Sequence, residues 1–152
     1  MTHGDKPSII EILRSTPEFK PFEVAVAEEV IDSYLKDPFG SGYYILVAEV
    51  NSKVIGYICY GPAPMTEGTW DIYWEAVAQE SQGRGIGSAL MNSAEKEIAI
   101  SKGRLAIIET SSVPAYEKTR HFYRSHGYEA VCCIPDFYAP GDDKLILQKR
   151  LR

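Results

Sequence analysis

Gln82-Gly83-Arg84-Gly85-Ile86-Gly87 is a glycine-rich motif between a predicted strand and a predicted helix. It follows the β-rich run Thr69–Ala78, and apolar residues at helical spacing from Ile86 to Ile98 predict that it opens a helix closed at Gly103. Three glycines let a backbone approach a diphosphate without obstruction by Cβ atoms, and free N–H groups at a helix start attract anions. The stretch therefore predicts a phosphate site formed by Gly83 to Ser88.

A glycine-rich connection that binds nothing is the alternative interpretation of the same residues. Two other nucleotide-binding motifs are excluded. A P-loop requires Lys-Ser/Thr after its last glycine, whereas Gly87 is followed by Ser88-Ala89. A dinucleotide-binding fingerprint requires G-x-G-x-x-G with an acidic residue about 20 positions later, which the chain lacks here.

The remaining pattern predicts a single mixed α/β domain over residues 1–152, with helices on both faces of one sheet. A first helix is predicted at Ser8–Ser15, with a strand as the competing interpretation. The other predicted elements are a helix at Pro21–Lys36, a hairpin of strands at Tyr43–Val50 and Lys53–Tyr60, a strand at Arg104–Thr110, a helix at Pro114–Ser125, and strands at Ala130–Ile134 and Lys144–Lys149. An aromatic, glycine-containing loop is expected to join the last two strands.

Composition limits the classes of function. The 152 residues are 45% apolar and 24% charged, as in an ordinary globular domain. A net charge of -5 without any run of Lys or Arg disfavours nucleic acid and anionic membranes as partners. No window approaches the roughly 20 apolar residues that span a bilayer, and the polar Met1–Lys6 does not resemble a signal peptide.

The titratable sulfur and imidazole groups predict no metal site. Cys59, Cys132 and Cys133 lie in apolar strand contexts, so we expect small core side chains in a reducing cytoplasm. His121 and His126 are five residues apart on a predicted helix, which is not the spacing of a helical metal pair.

Two motifs together resemble the GNAT superfamily of N-acetyltransferases. Gln82–Gly87 matches the superfamily's Q/R-x-x-G-x-G/A signature, and the preceding Trp74–Val77 looks like its fourth strand. Phe122–Tyr128, with Tyr116 ahead of it, looks like the end of its fourth helix. The order and spacing of these pieces agree over roughly Tyr43 to Leu151. The resemblance implies an α/β GNAT fold, whose mostly antiparallel central sheet splays between strands four and five.

The same resemblance implies acetyl-CoA as the acyl donor. It assigns the diphosphate to the glycine turn and the pantetheine arm to the gap between the splayed strands, bonded to main-chain groups near Ala76 and Val77. A backbone N–H near Val77 would stabilise the oxyanion of the thioester. The implied cofactor-binding residues are Ala76, Val77, Gln82, Gly83, Arg84, Gly85, Ile86, Gly87, Ser88, Tyr116 and Tyr123.

Acetyl transfer to an amine requires a proton donor for the departing thiolate and a neutral nucleophile. Tyr123 is the predicted donor, because relatives use the tyrosine of this helix motif in that role. Asp71 and Glu109 are alternative bases, and Glu75 carries less weight; solvated carboxylates, or a base acting through water, are the other interpretations. Period-two alternation is expected to place one set of side chains on a common strand face: Asp71, Tyr73, Glu75 and Val77.

The predicted reaction is direct transfer to a primary amine of a small molecule or peptide, because no cysteine is placed for a covalent intermediate. Relatives form the acceptor site from segments that match Phe19–Phe22 and Asp136–Asp143. The aspartates of the second segment, with Phe137 and Tyr138, suit a cationic amine with an apolar body, although a polar hairpin loop is the equal alternative.

Two features depart from the superfamily pattern. The usual first strand is not evident in the short, polar Met1–Pro7, and Ser111-Ser112 replaces the asparagine that often follows strand five. The rival functions are transfer of a longer acyl chain, transfer to a non-amine acceptor, and a non-catalytic acyl-CoA-binding regulatory module. The retained Tyr123 argues against the last of these. Assembly as a homodimer is left open.

Overall fold

The computed structural model describes residues 1–151. Its helices and strands are α1 (Lys6–Ser15), α2 (Pro21–Lys36), β1 (Tyr44–Val50), β2 (Lys53–Pro62), β3 (Thr69–Val77), α3 (Ile86–Ile100), β4 (Leu105–Ser111), α4 (Glu117–Ser125), β5 (Glu129–Ala139) and β6 (Asp142–Arg150). Short 3-10 turns lie at His3–Asp5, Gln79–Ser81 and Pro114–Tyr116.

The six strands form one sheet in the order β1-β2-β3-β4-β6-β5. Every neighbouring pair is antiparallel except β3 and β4, which run parallel. The predicted mixed α/β fold with a mostly antiparallel sheet is confirmed. Within residues 1–151 no strand precedes α1, so β3 and β4 take the places of the superfamily's fourth and fifth strands.

The first helix forms where a strand was the competing interpretation. Pro7 occupies the first turn of α1, where its missing N–H costs nothing, and the buried residues of α1 recur at helical spacing: Ile9, Ile10, Ile12 and Leu13. The start of α2 is stabilised by the Glu23 carboxylate, which accepts a hydrogen bond of 2.8 Å from the Lys20 N–H.

The pairing between β3 and β4 ends halfway along the strands. It runs from Thr69 opposite Leu105 to Ile72 opposite Ile108, although the two strands continue to Val77 and Ser111. Tyr73 is the extra residue of a β-bulge, because Cys59 of β2 pairs with Trp74 and Tyr60 pairs with Ile72. A bulge bends and twists its strand, so β3 turns away from β4 at this point. The expected splay is therefore present.

The bulge also changes which way the side chains of β3 point. Trp70 and Ile72 belong to the core beneath α3, and Val77 packs against that same core. Ala76 belongs instead to the core beneath α1 and α2. The alternation thus reverses at Tyr73, and the predicted common face for Asp71 and Glu75 is wrong. Asp71 faces the side of α1 and α2, whereas Glu75 faces the side of α3 and α4.

The last hairpin differs from its prediction in length and exposure. β5 runs to Ala139, so Phe137 and Tyr138 lie in a strand and the loop shrinks to Pro140-Gly141. All eleven residues of β5, an edge strand of the sheet, are exposed. Cys59 is buried as expected, but Cys132 and Cys133 are exposed and the prediction that they are core residues is wrong.

Candidate active site

The glycine turn forms an open helix start. Gly83 and Gly85 have φ values of 73° and 79°, a left-handed conformation that glycine adopts without strain, and a Cβ atom on either would meet nothing within 4 Å. The Ala89 N–H donates to the Gly85 carbonyl at 2.9 Å. Helix geometry then leaves the N–H groups of residues 86–88 without acceptors inside the helix. These donors suit an anion, and the side chains of Gln82 and Arg84 are exposed beside them.

The register of β3 directs particular backbone groups into the gap. The Ala78 N–H donates to the Ile55 carbonyl of the β2 side at 2.8 Å. Because successive residues of an antiparallel strand direct their backbone groups to opposite sides, those of Ala76 face β2, while those of Glu75 and Val77 face the gap. The Val77 carbonyl accepts a hydrogen bond of 3.2 Å from the Gln82 side-chain amide. The arrangement thus favours Glu75 and Val77, rather than Ala76, as backbone partners for a ligand.

Glu75 extends into the α3–α4 side of the gap. Its Oε1 atom is buried and has no hydrogen-bond partner among residues 1–151. Burial raises the pKa of this carboxyl to about 8, so it is largely protonated at neutral pH. Glu75 was only a lesser candidate base in the sequence, because the alternation of residues in β3 does not reveal the bulge that turns its side chain inward.

Tyr123 lies on the same side of the gap. Its ring is half-buried between Phe122 and Tyr128, with centroids 5.7 and 6.3 Å away in edge-to-face contacts. Burial raises the pKa of the Tyr123 phenol, and the neighbouring Glu75 and Tyr116 raise it further. The phenol is therefore protonated at neutral pH, which is the state that a proton donor requires.

A buried guanidinium fixes the connection between β4 and α4. Arg120 is 5% exposed, and its Nη1 donates to the carbonyls of Ser111 and Val113 at 2.7 and 2.9 Å. Its Nη2 donates to the Glu117 carboxylate at 2.5 Å. Close by, the Tyr116 hydroxyl donates to the Glu18 carbonyl at 2.9 Å and so ties the turn before α4 to the α1–α2 connection. No local sequence pattern predicts this role of Arg120, because its carbonyl partners lie seven and nine residues earlier in the chain.

The two predicted bases come together on the opposite face of the sheet. Asp71 stands opposite Ile107, and Glu109 lies two residues further along β4, so both side chains share the α1–α2 face. Burial raises the pKa of the Asp71 carboxyl, and the charge of Glu109 raises it further. Lys144 of β6 forms an ion pair with Glu109, with Nζ and Oε2 2.6 Å apart.

The aspartates of the last hairpin are engaged in holding its shape. Asp143 accepts a hydrogen bond from the Asp136 N–H at 2.9 Å, and Asp136 accepts one from the Gly141 N–H at 2.7 Å. Asp142 contacts the Ser111 hydroxyl, and the Ser112 hydroxyl accepts from the Asp143 N–H at 2.9 Å. The serine pair that replaces the expected asparagine therefore anchors this hairpin to the end of β4.

No group of three or more His, Cys, Asp or Glu side chains within residues 1–151 converges as metal ligands would. No helix within the same residues is long and apolar enough to cross a membrane.

Comparisons with known proteins agree on one family. Residues 41–130 match the family model described as "Acetyltransferase (GNAT) domain". A solved structure of a protein assigned to the GNAT family from Desulfovibrio desulfuricans superposes with a TM-score of 0.96, at 37% identity over 99% of this chain and 94% of the other.

Two more distant proteins extend the comparison. The N-acetyltransferase MJ1530 of Methanocaldococcus jannaschii, itself described as uncharacterized, is 28% identical over 88% of this chain and 89% of its own. An aminoglycoside 6'-N-acetyltransferase solved with coenzyme A has a TM-score of 0.77 at 20% identity, over 97% of this chain and 91% of the other, and shares the fold.

Proposed function

This chain belongs to the GNAT acetyltransferase family, and we propose that it moves acetyl from acetyl-CoA to a primary amine of a small molecule or peptide. The observation that carries the proposal is the end of β3–β4 pairing at Ile72 and Ile108. It leaves the backbone groups of Glu75 and Val77 facing a gap that begins beside the glycine turn. Acetyl-CoA is the donor in this family, and its extended pantetheine arm suits such a gap.

The donor would bind with its diphosphate on the N–H groups that begin α3 and its amide-bearing arm along β3. The aminoglycoside acetyltransferase of the same fold binds coenzyme A, which supports this placement. No metal is needed for the transfer, because backbone donors and the helix dipole already offset the negative charge of a diphosphate.

Each step of the transfer then has a residue that can assist it. The Val77 N–H faces the gap and would stabilise the oxyanion that forms when the amine attacks the thioester. Tyr123 would give its proton to the coenzyme A thiolate, and Asp71 or Glu109 would accept the proton that the amine loses. Because the base candidates and Tyr123 lie on opposite faces of the sheet, the amine would attack the thioester from one side of the gap and the thiolate would leave on the other.

The acceptor side favours a cationic amine with an apolar body. Asp71 and the ion-paired Glu109 bring carboxylates to the α1–α2 face, while Phe137 and Tyr138 lie on the Glu109 side and are 50% and 45% exposed. Exposed aromatic faces and carboxylates attract ammonium groups.

A single domain over residues 1–152 and a cytoplasmic location stay predictions, and so does the choice between monomer and homodimer.

Thiol release from acetyl-CoA, measured over a panel of amino acids, polyamines, aminoglycosides and peptide N-termini, tests the proposal. We expect at least one primary amine to release coenzyme A faster than the buffer control, with acetylated amine found by mass spectrometry. Coenzyme A binding with silence across the panel would contradict transfer to these amines and favour a non-catalytic acyl-CoA-binding module.

A further inference from the structure

The ammonium group of Lys144 is enclosed at the mouth of the acceptor side. Its Nζ lies 2.6 Å from Oε2 of Glu109 and 3.8 Å from the ring centroid of Phe137, with the Tyr138 ring at 5.9 Å. The Lys144 side chain is 12% exposed, whereas that of Glu109 is 51% exposed. A carboxylate and an aromatic face therefore hold this cation in place, and the cation in turn holds them.

The two carboxylates of the acceptor side differ in their partners. Glu109 forms an ion pair with Lys144, while Asp71 has no cationic partner among residues 1–151. An amine that enters this side loses its proton more readily to a carboxylate that no lysine already occupies. The pairing thus distinguishes the two bases that the sequence left as alternatives.

We propose that Lys144 is a positioning residue, which occupies Glu109 in an ion pair and fixes Phe137, so that Asp71 is the carboxylate that accepts the amine proton. The proton-transfer half of this statement rests on the proposed function. The electrostatic half concerns the protein alone and can be tested without any acceptor.

The phenols and the thiol on the side of Asp71 stay neutral over the acidic range in which its carboxyl titrates. Burial, followed by the charge of Asp71, raises the pKa of Tyr73 to about 12, and burial raises the pKa of Cys59 to about 12. Burial also raises the pKa of Tyr138, so these phenols and this thiol are neutral below about pH 9. The remaining nearby groups are Tyr43, which faces Tyr73, and the carboxylates Asp142 and Glu23, which face Tyr138.

Removing one charge of the ion pair should shift Asp71 in a direction that depends on which charge is removed. Lys144→Met leaves two carboxylates side by side, so the pKa of Asp71 should rise by about one unit. Glu109→Gln removes the repelling charge and leaves the lysine, so the pKa of Asp71 should fall. The pKa of Asp71 in the double variant should lie between the values of the two single variants, and Lys144→Arg should keep the wild-type value.

Carboxyl ¹³C NMR titration of the free protein measures these pKa values directly. Opposite shifts in the two single variants support the electrostatic half, whereas shifts of the same sign, or none, overturn it. The double variant controls for altered packing, because a purely structural effect of either substitution would not cancel.

Turnover with the most active amine of the panel named above tests the catalytic half. The acidic limb of the kcat/KM profile should move up in Lys144→Met and down in Glu109→Gln, following the NMR values. A limb that stays fixed while the NMR values move overturns the assignment of Asp71 as proton acceptor. If no panel amine is acetylated, the proposed function fails while the titration still decides the electrostatic half.

Discussion

The Oε1 atom of Glu75 lies 3.1 Å from the point that a Cβ atom on Gly87 would occupy, and the Phe122 ring lies 3.3 Å from that point. The bare glycine therefore lets a buried carboxyl pack against the first turn of α3. Since Oε1 has no hydrogen-bond partner among residues 1–151, this carboxyl is held in its neutral form by burial alone.

The stability of the protein should fall with rising pH because of Glu75. Its pKa is raised from 4.5 when unfolded to about 8 when folded, so the folded state binds the extra proton between these values. The stabilisation is complete below pH 4.5 and is lost as pH rises to about 8, by at most about 1.4 kcal/mol per unit. Urea unfolding at pH 5, 6.5 and 8 should show Glu75→Gln gaining stability relative to wild type as pH rises.

Glu80→Gln is the matched control for that experiment. A backbone hydrogen bond and Lys53 lower the pKa of this exposed carboxylate below its ordinary 4.5, so the stability difference between Glu80→Gln and wild type should stay constant from pH 5 to 8. A stability difference between Glu75→Gln and wild type that is constant from pH 5 to 8 would contradict the buried neutral carboxyl.

Gly85→Ala should abolish the stabilisation of the protein by coenzyme A. The left-handed φ of 79° costs alanine about 1–2 kcal/mol, and the new methyl group enters the space where the diphosphate would lie. Thermal unfolding with and without about 1 mM coenzyme A measures the increase in Tm that the ligand causes, since binding to the folded state raises apparent stability.

Gly42→Ala separates backbone strain from ligand contact. Gly42 has a φ of 77° and equally open surroundings, but it precedes β1 and lies outside the glycine turn. This variant should lose similar intrinsic stability and keep the full coenzyme A shift. A normal shift in Gly85→Ala would remove the glycine turn from the diphosphate site.

Local patterns predicted most of the fold, because helical spacing and glycine placement are local properties. The bounds of α2 and the glycine turn before α3 followed from periodicity and from breaking residues alone. The reversal of side-chain direction at Tyr73 did not, because the bulge depends on how β2 pairs with β3. That single residue moved Glu75 to the face of α3 and α4.

The candidate site was predicted where one motif contains it and missed where distant segments meet. Tyr123 and the glycine turn each belong to a contiguous motif. The ion pair of Lys144 with Glu109 joins β6 to β4, and Arg120 bonds carbonyls seven and nine residues earlier in the chain. Exposure of Cys132 and Cys133 was equally out of reach, since edge position is a property of strand order.

Tyr123→Phe should lower kcat about tenfold or more while leaving the dissociation constant of acetyl-CoA nearly unchanged. The substitution keeps the edge-to-face contacts with Phe122 and Tyr128 but removes the proton for the thiolate. Steady-state kinetics with the most active panel amine, together with calorimetric binding of acetyl-CoA, separates the two effects.

Tyr128→Phe provides the comparison for Tyr123. This substitution removes the buried hydroxyl of Tyr128, whose ring contacts Tyr123. That hydroxyl points at the Met91 sulfur rather than into the gap. Stability should fall modestly in this variant while kcat is retained. Equal kcat losses in the two variants would mean that packing, and not proton donation, explains the effect.

Arg120→Gln should destabilise the protein by about 3 kcal/mol, because three partners lose a buried charged donor. Arg124→Gln is its counterpart. Arg124 is exposed and forms a longer ion pair, of 3.6 Å, with the same Glu117, so its substitution should change the free energy of unfolding by no more than about 0.5 kcal/mol. Urea unfolding compares the two variants.

Because Arg120 holds the end of β4 against the start of α4, the acetyl-CoA affinity of its variant should also fall at temperatures where the protein is fully folded. Unchanged affinity there would show that the β4–α4 connection keeps Tyr116 and Tyr123 in place without the guanidinium.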